Sequence, residues 1–217
     1  MQTLTPESKP AAAFPFPTEP VEAALLTIPG LDDSGPRHWQ THWERLAHCR
    51  RADLGDWAQP RLDEWVPALD RAIREHPRPI VLVAHSLGCI ATVWWARLCW
   101  SEAFREKVRG ALLVAPADVE AIDANPRIRD FRPIPAFPLP FRTILVASRD
   151  DPHAGFERSR AMADAWGSEL VDLGCAGHIN ADSALHEWPR GLRLAAEIGG
   201  NNANLLVAEL SLRSALA

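Results

Sequence analysis

Along the chain, short apolar runs of strand length alternate with longer segments whose apolar residues return every three or four positions. The runs are Val21 to Ile28, Ile80 to Ala84, Gly110 to Ala115, Thr143 to Ser148 and Glu169 to Leu173, with a weaker one at Ala52 to Trp57. Near-continuous apolar runs of this length suit strands covered on both faces. Between them, Trp39, Trp43 and Leu46 predict a helix over 37–48, and Leu62, Trp65, Val66, Leu69 and Ile73 line one face of a helix over 61–76. Further helices are predicted over 87–104, 155–166 and 181–198, the last kinked near Pro189. Strands alternating with helices predict an α/β fold with a mostly parallel sheet and helices on both faces, a three-layer sandwich.

Two segments break the rhythm. Pro29 to Pro36 is too rich in Pro, Gly and Asp for helix or strand and reads as a loop. Pro116 to Pro140 is proline-heavy and irregular, and long irregular segments in compact domains tend to be functional, so it is expected to form a short cap beside a site. Residues 1–20, rich in Pro, Ala, Thr and Glu without hydrophobic period, read as a flexible leader. Residues 21–198 form the predicted domain. The tail, 199–217, contains an apolar stretch from Leu205 to Leu212 that is either a docking helix or an addition beyond the domain.

Composition narrows the function classes. The chain has 217 residues, enough for one sizeable core, with 47% hydrophobic and 24% charged residues and a net charge of −5. No basic face, RNA-binding aromatic motif or zinc-finger spacing is present, which argues against nucleic acid as a partner. The longest apolar run, Cys89 to Trp100, is shorter than a membrane span and is broken by Arg97, so no membrane association is expected. The start of the chain lacks the basic and apolar regions of a secretory signal, and Cys49, Cys89, Cys99 and Cys175 are scattered. Both features point to the reduced cytoplasmic compartment. His38 and His42 lie one helical turn apart but have no third ligand beside them, so no metal site is expected.

The chemistry gathers at strand ends. The run Ile80 to Ala84 stops at His85-Ser86-Leu87-Gly88, with a small residue two before the serine and a glycine two after it. A long apolar helical segment follows. This is the layout of a nucleophile elbow, with Ala84 where the pattern has its first glycine. A serine between strand and helix can also simply cap the helix. Two more strand ends carry chemistry, the Asp150-Asp151 pair and His178. Serine, acid, histidine is the chain order of the α/β-hydrolases. A serine hydroxyl needs a base to take its proton, and the histidine needs a carboxylate to fix its tautomer and stabilise the imidazolium. An oxyanion hole would draw on the N–H of Leu87, directly after the serine, and on that of Leu31 behind Pro29-Gly30. The expected strand order, 2-1-3-4-5-6, puts the ends of strands 1 and 3 together at the switch point where such sheets bind ligands.

Four segments, PGLDDSGPRHWQTHWERL, VLVAHSLGC, ASRDDP and GHINADS, resemble the retinoblastoma-binding protein 9 / YdeN family of small serine hydrolases. The likeness runs from Ala23 to about Ile198. It implies a compact α/β-hydrolase without a large lid, acting on small ester-type substrates without a cofactor. It also implies that the acid is the aspartate before the proline, Asp151, with Asp150 as the fallback. Ser86, Asp151 and His178 are thus the expected catalytic residues. Gly30, Asp32, His38, Trp39, His85 and His153 are candidates for the pocket, with His38 and Trp39 bracing the oxyanion loop. By strand alternation His85 points away from the elbow and is expected to pack or bond locally. The leading function is a serine hydrolase forming an acyl-enzyme with a small-molecule acyl substrate. The alternatives are a protein-binding module on the same scaffold, and acyl transfer or perhydrolysis by the same residues. Acyl preference and oligomeric state stay open.

Overall fold

A computed structural model describes residues 22–216. The leader expected over residues 1–20, and Val21 at the start of the first run, lie outside the described residues. Strands β1 (Ala24–Ile28), β2 (Cys49–Arg51), β3 (Ile80–His85), β4 (Val108–Val114), β5 (Thr143–Ala147) and β6 (Glu169–Asp172) form one sheet. Its order is β2-β1-β3-β4-β5-β6, and every neighbouring pair is parallel, the expected topology. The helices are α1 (Trp39–Trp43), α2 (Leu62–Glu75), α3 (Leu87–Leu98), α4 (Phe156–Trp166), α5 (Pro189–Gly199) and α6 (Ala203–Ala215).

The two-residue alternation of each strand divides the core into two layers. Ile80, Leu82 and Ala84 of β3 join Leu26, Leu113 and Leu145 under α2, α3 and α4, where Trp65, Leu69, Trp95 and Trp166 fill the layer. Val81 and Val83 join Leu25, Leu112 and Ile144 on the other face, under Trp39, Trp43 and Leu192. The residues of β1, β3 and β5, and those of β4 apart from Arg109, are buried whichever way they point, which is why their sequence shows runs and not alternation.

Four local expectations need correction. The helix expected over 37–48 is regular only at Trp39–Trp43, and the chain runs on to β2 through turns, from which Leu46 is buried. The weak strand expected at Ala52 to Trp57 lies three residues earlier, at Cys49–Arg51. β2 is an edge strand bonded only to β1, so it needs little hydrophobicity. Its Arg51 instead pairs with Glu44 at 2.8 Å and Asp33 at 2.7 Å, while the more apolar Ala52 and Leu54 are buried from a loop. Another correction is at α3, which ends at Leu98 and gives way to a separate 3-10 turn, Glu102–Phe104. Pro189 does not kink a long helix. It opens α5 at the first helical position, where its missing N–H costs nothing, and 181–188 is a 3-10 turn followed by loop.

The apolar stretch of the tail forms α6, which lies against α5 and α1 with Leu210 buried among them. Polar bonds fasten it to α1 and the turn after it: Arg45 Nη1 donates to Ser214 Oγ at 3.1 Å, and the Ala47 amide to Glu209 Oε1 at 2.9 Å. The irregular segment after β4 contains a 3-10 turn at Pro126–Phe131 and is tied down by indoles. Trp94 Nε1 donates to the Phe131 carbonyl at 2.9 Å and Trp166 Nε1 to that of Pro135 at 2.8 Å.

Where β1 passes the start of α3 the backbones nearly touch. A Cβ on Gly88 would lie 2.2 Å from the Ile28 oxygen and 2.5 Å from that of Pro29. Both obstacles are main chain of a central strand end and cannot rotate aside. Gly88→Ala is therefore expected to lower unfolding free energy by about 1–3 kcal/mol or more, read from urea titrations. A variant as stable as the parent would refute this close approach.

Candidate active site

β3 ends at His85, and the chain reverses through Ser86 at φ 54° and ψ −122° before α3 begins. A non-glycine residue held there is strained, and the neighbours over-determine it. The Ser86 amide donates to the Val114 carbonyl at 3.0 Å, locking the turn to β4. Gly30 presses on it from the first loop, where a Cβ would sit 2.8 Å from Ser86 Cβ and 3.1 Å from the Leu87 nitrogen. Ser86 Oγ makes no capping bond to α3, so the helix-cap reading fails. It lies instead 2.9 Å from His178 Nε2.

His178 is brought there by the loop after β6, and its Nδ1 is 2.9 Å from both carboxylate oxygens of Asp151. A carboxylate only accepts, so Nδ1 carries the proton and Nε2 offers its lone pair to the serine. Both side chains are nearly fully buried, at 8% and 2% exposure, in a medium where an ionic hydrogen bond is little screened. The Asp151 carboxylate is held in turn by the His153 amide, 2.8 Å from Oδ1. Asp150 does something else. Its Oδ1 accepts from Ser148 Oγ at 2.7 Å and from the Gly177 amide at 2.8 Å, and the Ser148 bond, ahead of the amide, holds its carboxyl below the usual range. It shapes the histidine loop without facing the imidazole.

Three more histidine rings surround His178. His153 meets it edge-on with centroids 4.4 Å apart, and His85 lies 4.9 Å away with His38 a further 4.7 Å behind. Burial, ahead of neighbouring charge, keeps each of the three more acidic than a free imidazole: His38 falls from 6.5 to about 3, His85 well below 6.5, and His153 below it. Adjacent positive charge adds to this, from Arg51 at His38 and from His178 at His153. His38 caps α1, its Nδ1 accepting from the Gln40 amide at 3.2 Å, which leaves the proton on a buried, unpartnered Nε2.

His85 packs as expected, against His38, Trp39 and His178, but its hydrogen bond is not local. Alternation does place it with Val81 and Val83 on the α1 face, but the histidine loop crosses that face, and His85 Nε2 is 3.0 Å from the His178 carbonyl. Trp39 also departs from expectation. It does not line the cavity but turns inward, 1% exposed, to pack on Trp43 and Trp188. The cavity, of about 490 Å³, opens above Ser86 and is bordered by Gly30, Leu31, Asp32, His38, Leu87 and His153. His85 and His178 also reach it, as do Ala117, Ala121 and Ile128 of the irregular segment, which therefore stands beside the site as expected.

Sequence reading missed Arg127. Its guanidinium grips Asp32 through two bonds of 2.7 and 2.8 Å and also reaches the Ala58 carbonyl at 2.9 Å, joining the cap to the loop after β1. The Arg127 bond holds the Asp32 carboxyl below its usual range. Nothing in the local sequence marks this arginine, because its partner is 95 residues away.

Known structures that resemble this fold are numerous. The family model described as serine hydrolase matches residues 25–197. A YdeN-like hydrolase from Pectobacterium atrosepticum shares 36% identity over 85% of this chain and 92% of its own, with a TM-score of 0.70. The ydeN product of B. subtilis shares 20% over 81% and 98%, with a TM-score of 0.62. Thermogutta terrifontis esterase 2, in a form phosphonylated by cyclosarin, shares 17% over 81% of each chain, with a TM-score of 0.57. These last two are likenesses of fold. No curated protein matches the chain. With the family match spanning most of its length, the chain belongs to the serine hydrolases, in the YdeN-like branch of the α/β-hydrolase superfamily.

Proposed function

We propose that the protein hydrolyses small carboxylic esters or related acyl compounds through an acyl-enzyme on Ser86, with His178 as base and acid and Asp151 as its orienting carboxylate. The observation that carries this reading is the unbroken line Ser86 Oγ, His178 Nε2, His178 Nδ1, Asp151, with both spacings at 2.9 Å. Ser86 Oγ attacks the acyl carbon as its proton passes to His178 Nε2. Asp151 stabilises the imidazolium without taking the proton. The developing oxyanion is received by the amides of Leu87 and Leu31, and one such donor contributes about 2.7–4 kcal/mol to the transition state. Collapse breaks the bond to the leaving alcohol, which departs with the proton from His178. Water then repeats the cycle on the acyl-enzyme, releases the acid and restores Ser86. A cavity of about 490 Å³ accommodates a short acyl group with its leaving group. Phosphonylation of the Thermogutta terrifontis esterase supports a nucleophile of the same kind here.

The test is a fluorophosphonate probe on the folded protein. Stoichiometric labelling is expected, located to Ser86 by peptide mass and lost in Ser86→Ala. Native protein that stays unlabelled at neutral pH would overturn the acyl-enzyme reading and favour a binding module on a hydrolase scaffold.

A further inference from the structure

We infer that His85 and Trp39 are positioning residues for the base: together they clamp the backbone carbonyls of His178 and Ile179 and so set the distance from imidazole to serine. The inference rests on the reading of His178 as the base.

The loop that carries His178 does not hold its shape by local preference. Gly177 has φ 58° and Ile179 φ 50°, and a β-branched residue in the left-handed region stays there only when its surroundings fix it. Two side chains from distant elements do so. His85 Nε2 lies 3.0 Å from the His178 carbonyl, and a carbonyl accepts, so this nitrogen carries the proton. Trp39 Nε1 donates to the very next carbonyl, that of Ile179, at 2.8 Å. Both donors are buried, at 5% and 1% exposure, so water does not compete for either acceptor.

The opposite edge of the loop is held as well, from the side of the acid. Asp150 accepts from the Gly177 amide at 2.8 Å and Ser148 Oγ from the Ala176 amide at 2.9 Å. The base therefore hangs between the strand of the nucleophile and the strand of the carboxylate. His85 is joined covalently to Ser86, so its bond ties the main chain of the base directly to that of the nucleophile. Without the clamp the loop would be held only on the side of the acid, through the Gly177 and Ala176 amides, and a misplacement of the imidazole by about 1 Å costs on the order of a hundredfold in rate.

The experiment compares steady-state hydrolysis of a short p-nitrophenyl ester by the parent, His85→Leu, His85→Gln and Trp39→Phe, with His178→Ala in parallel and folding checked by circular dichroism. His85→Leu and Trp39→Phe should each lower kcat about 10- to 100-fold, with KM within about twofold of the parent. His85→Gln, whose amide keeps an N–H at similar reach, should recover most of that loss. A merely structural role predicts no such rescue and no split between kcat and KM. Parental kcat in both His85→Leu and Trp39→Phe, or no advantage of Gln over Leu, would overturn the clamp. If His85→Leu fails to fold, Trp39→Phe, which keeps an aromatic ring in place, carries the test. Activity retained in His178→Ala would instead remove the reading of the base, and the clamp with it.

Discussion

His178→Ala is expected to lower kcat on a short ester by about a millionfold, and Asp151→Asn by about ten-thousandfold, both without loss of the fold. The two effects differ because they act on different parts of one proton path. Without the imidazole nothing takes the serine proton. With Asn in place of Asp151 the ring remains, but an amide N–H can face Nδ1 and favour the tautomer with its proton on Nε2, pointing at Ser86. Asp150→Asn is the informative companion. The Asp150 carboxylate faces Ser148 and the Gly177 amide, which an Asn oxygen can still serve, so its kcat should stay within about tenfold of the parent. Equal losses in the two aspartate variants would contradict the roles read from the geometry. So would a His178→Ala enzyme that retains substantial turnover.

Mild acid is expected to destabilise the fold, with His38 contributing about 5 kcal/mol across the full range and about 2–3 kcal/mol between pH 6.5 and 4.5. The sign follows from which state binds more protons. Folded, His38 is held neutral down to about 3, because burial and then the nearby Arg51 charge disfavour the imidazolium. Unfolded, it titrates at its ordinary 6.5. Above pH 6.5 both states are neutral and the full stability is present. As pH falls below that, only the unfolded chain gains the proton, and stability declines until the folded pKa is reached. His85, also depressed by burial, adds to the loss in the same direction. Urea unfolding at pH 7.5 and 4.5 measures it. His38→Asn keeps a side-chain acceptor for the α1 cap but cannot titrate, so its pH dependence should be flatter by about 2–3 kcal/mol. An unchanged difference between the two pH values would show that His38 ionises freely in the folded protein.

The central architecture was legible because β1, β3, β4 and β5 are buried on both faces and so spell themselves out as apolar runs. β2 was misplaced for the opposite reason: an edge strand of three residues, two of them arginines, leaves no hydrophobic signature, while the loop beyond it does. Pro189 was misread because a proline inside an apolar segment marks either a kink or a beginning, and only the left-handed Trp188 before it decides. That Ser86 and His178 meet could be anticipated from their places at strand ends. Choosing between Asp150 and Asp151 could not be done by spacing alone, since adjacent residues on a turn differ only in side-chain direction. The Arg127–Asp32 link and the bonds from His85 and Trp39 join residues that only the folded sheet brings together, so no local pattern announces them.

The chain contains nine tryptophans and no tyrosine, so its ultraviolet emission is that of indole alone. One of those indoles, Trp39, meets Trp43 and Trp188 edge-on and at the same time hydrogen-bonds the segment that presents His178. The protein thus carries a built-in optical probe beside its reacting centre. Any departure of that segment would change the polarity around Trp39 and shift its fluorescence, so motion there can be followed during turnover with no dye attached.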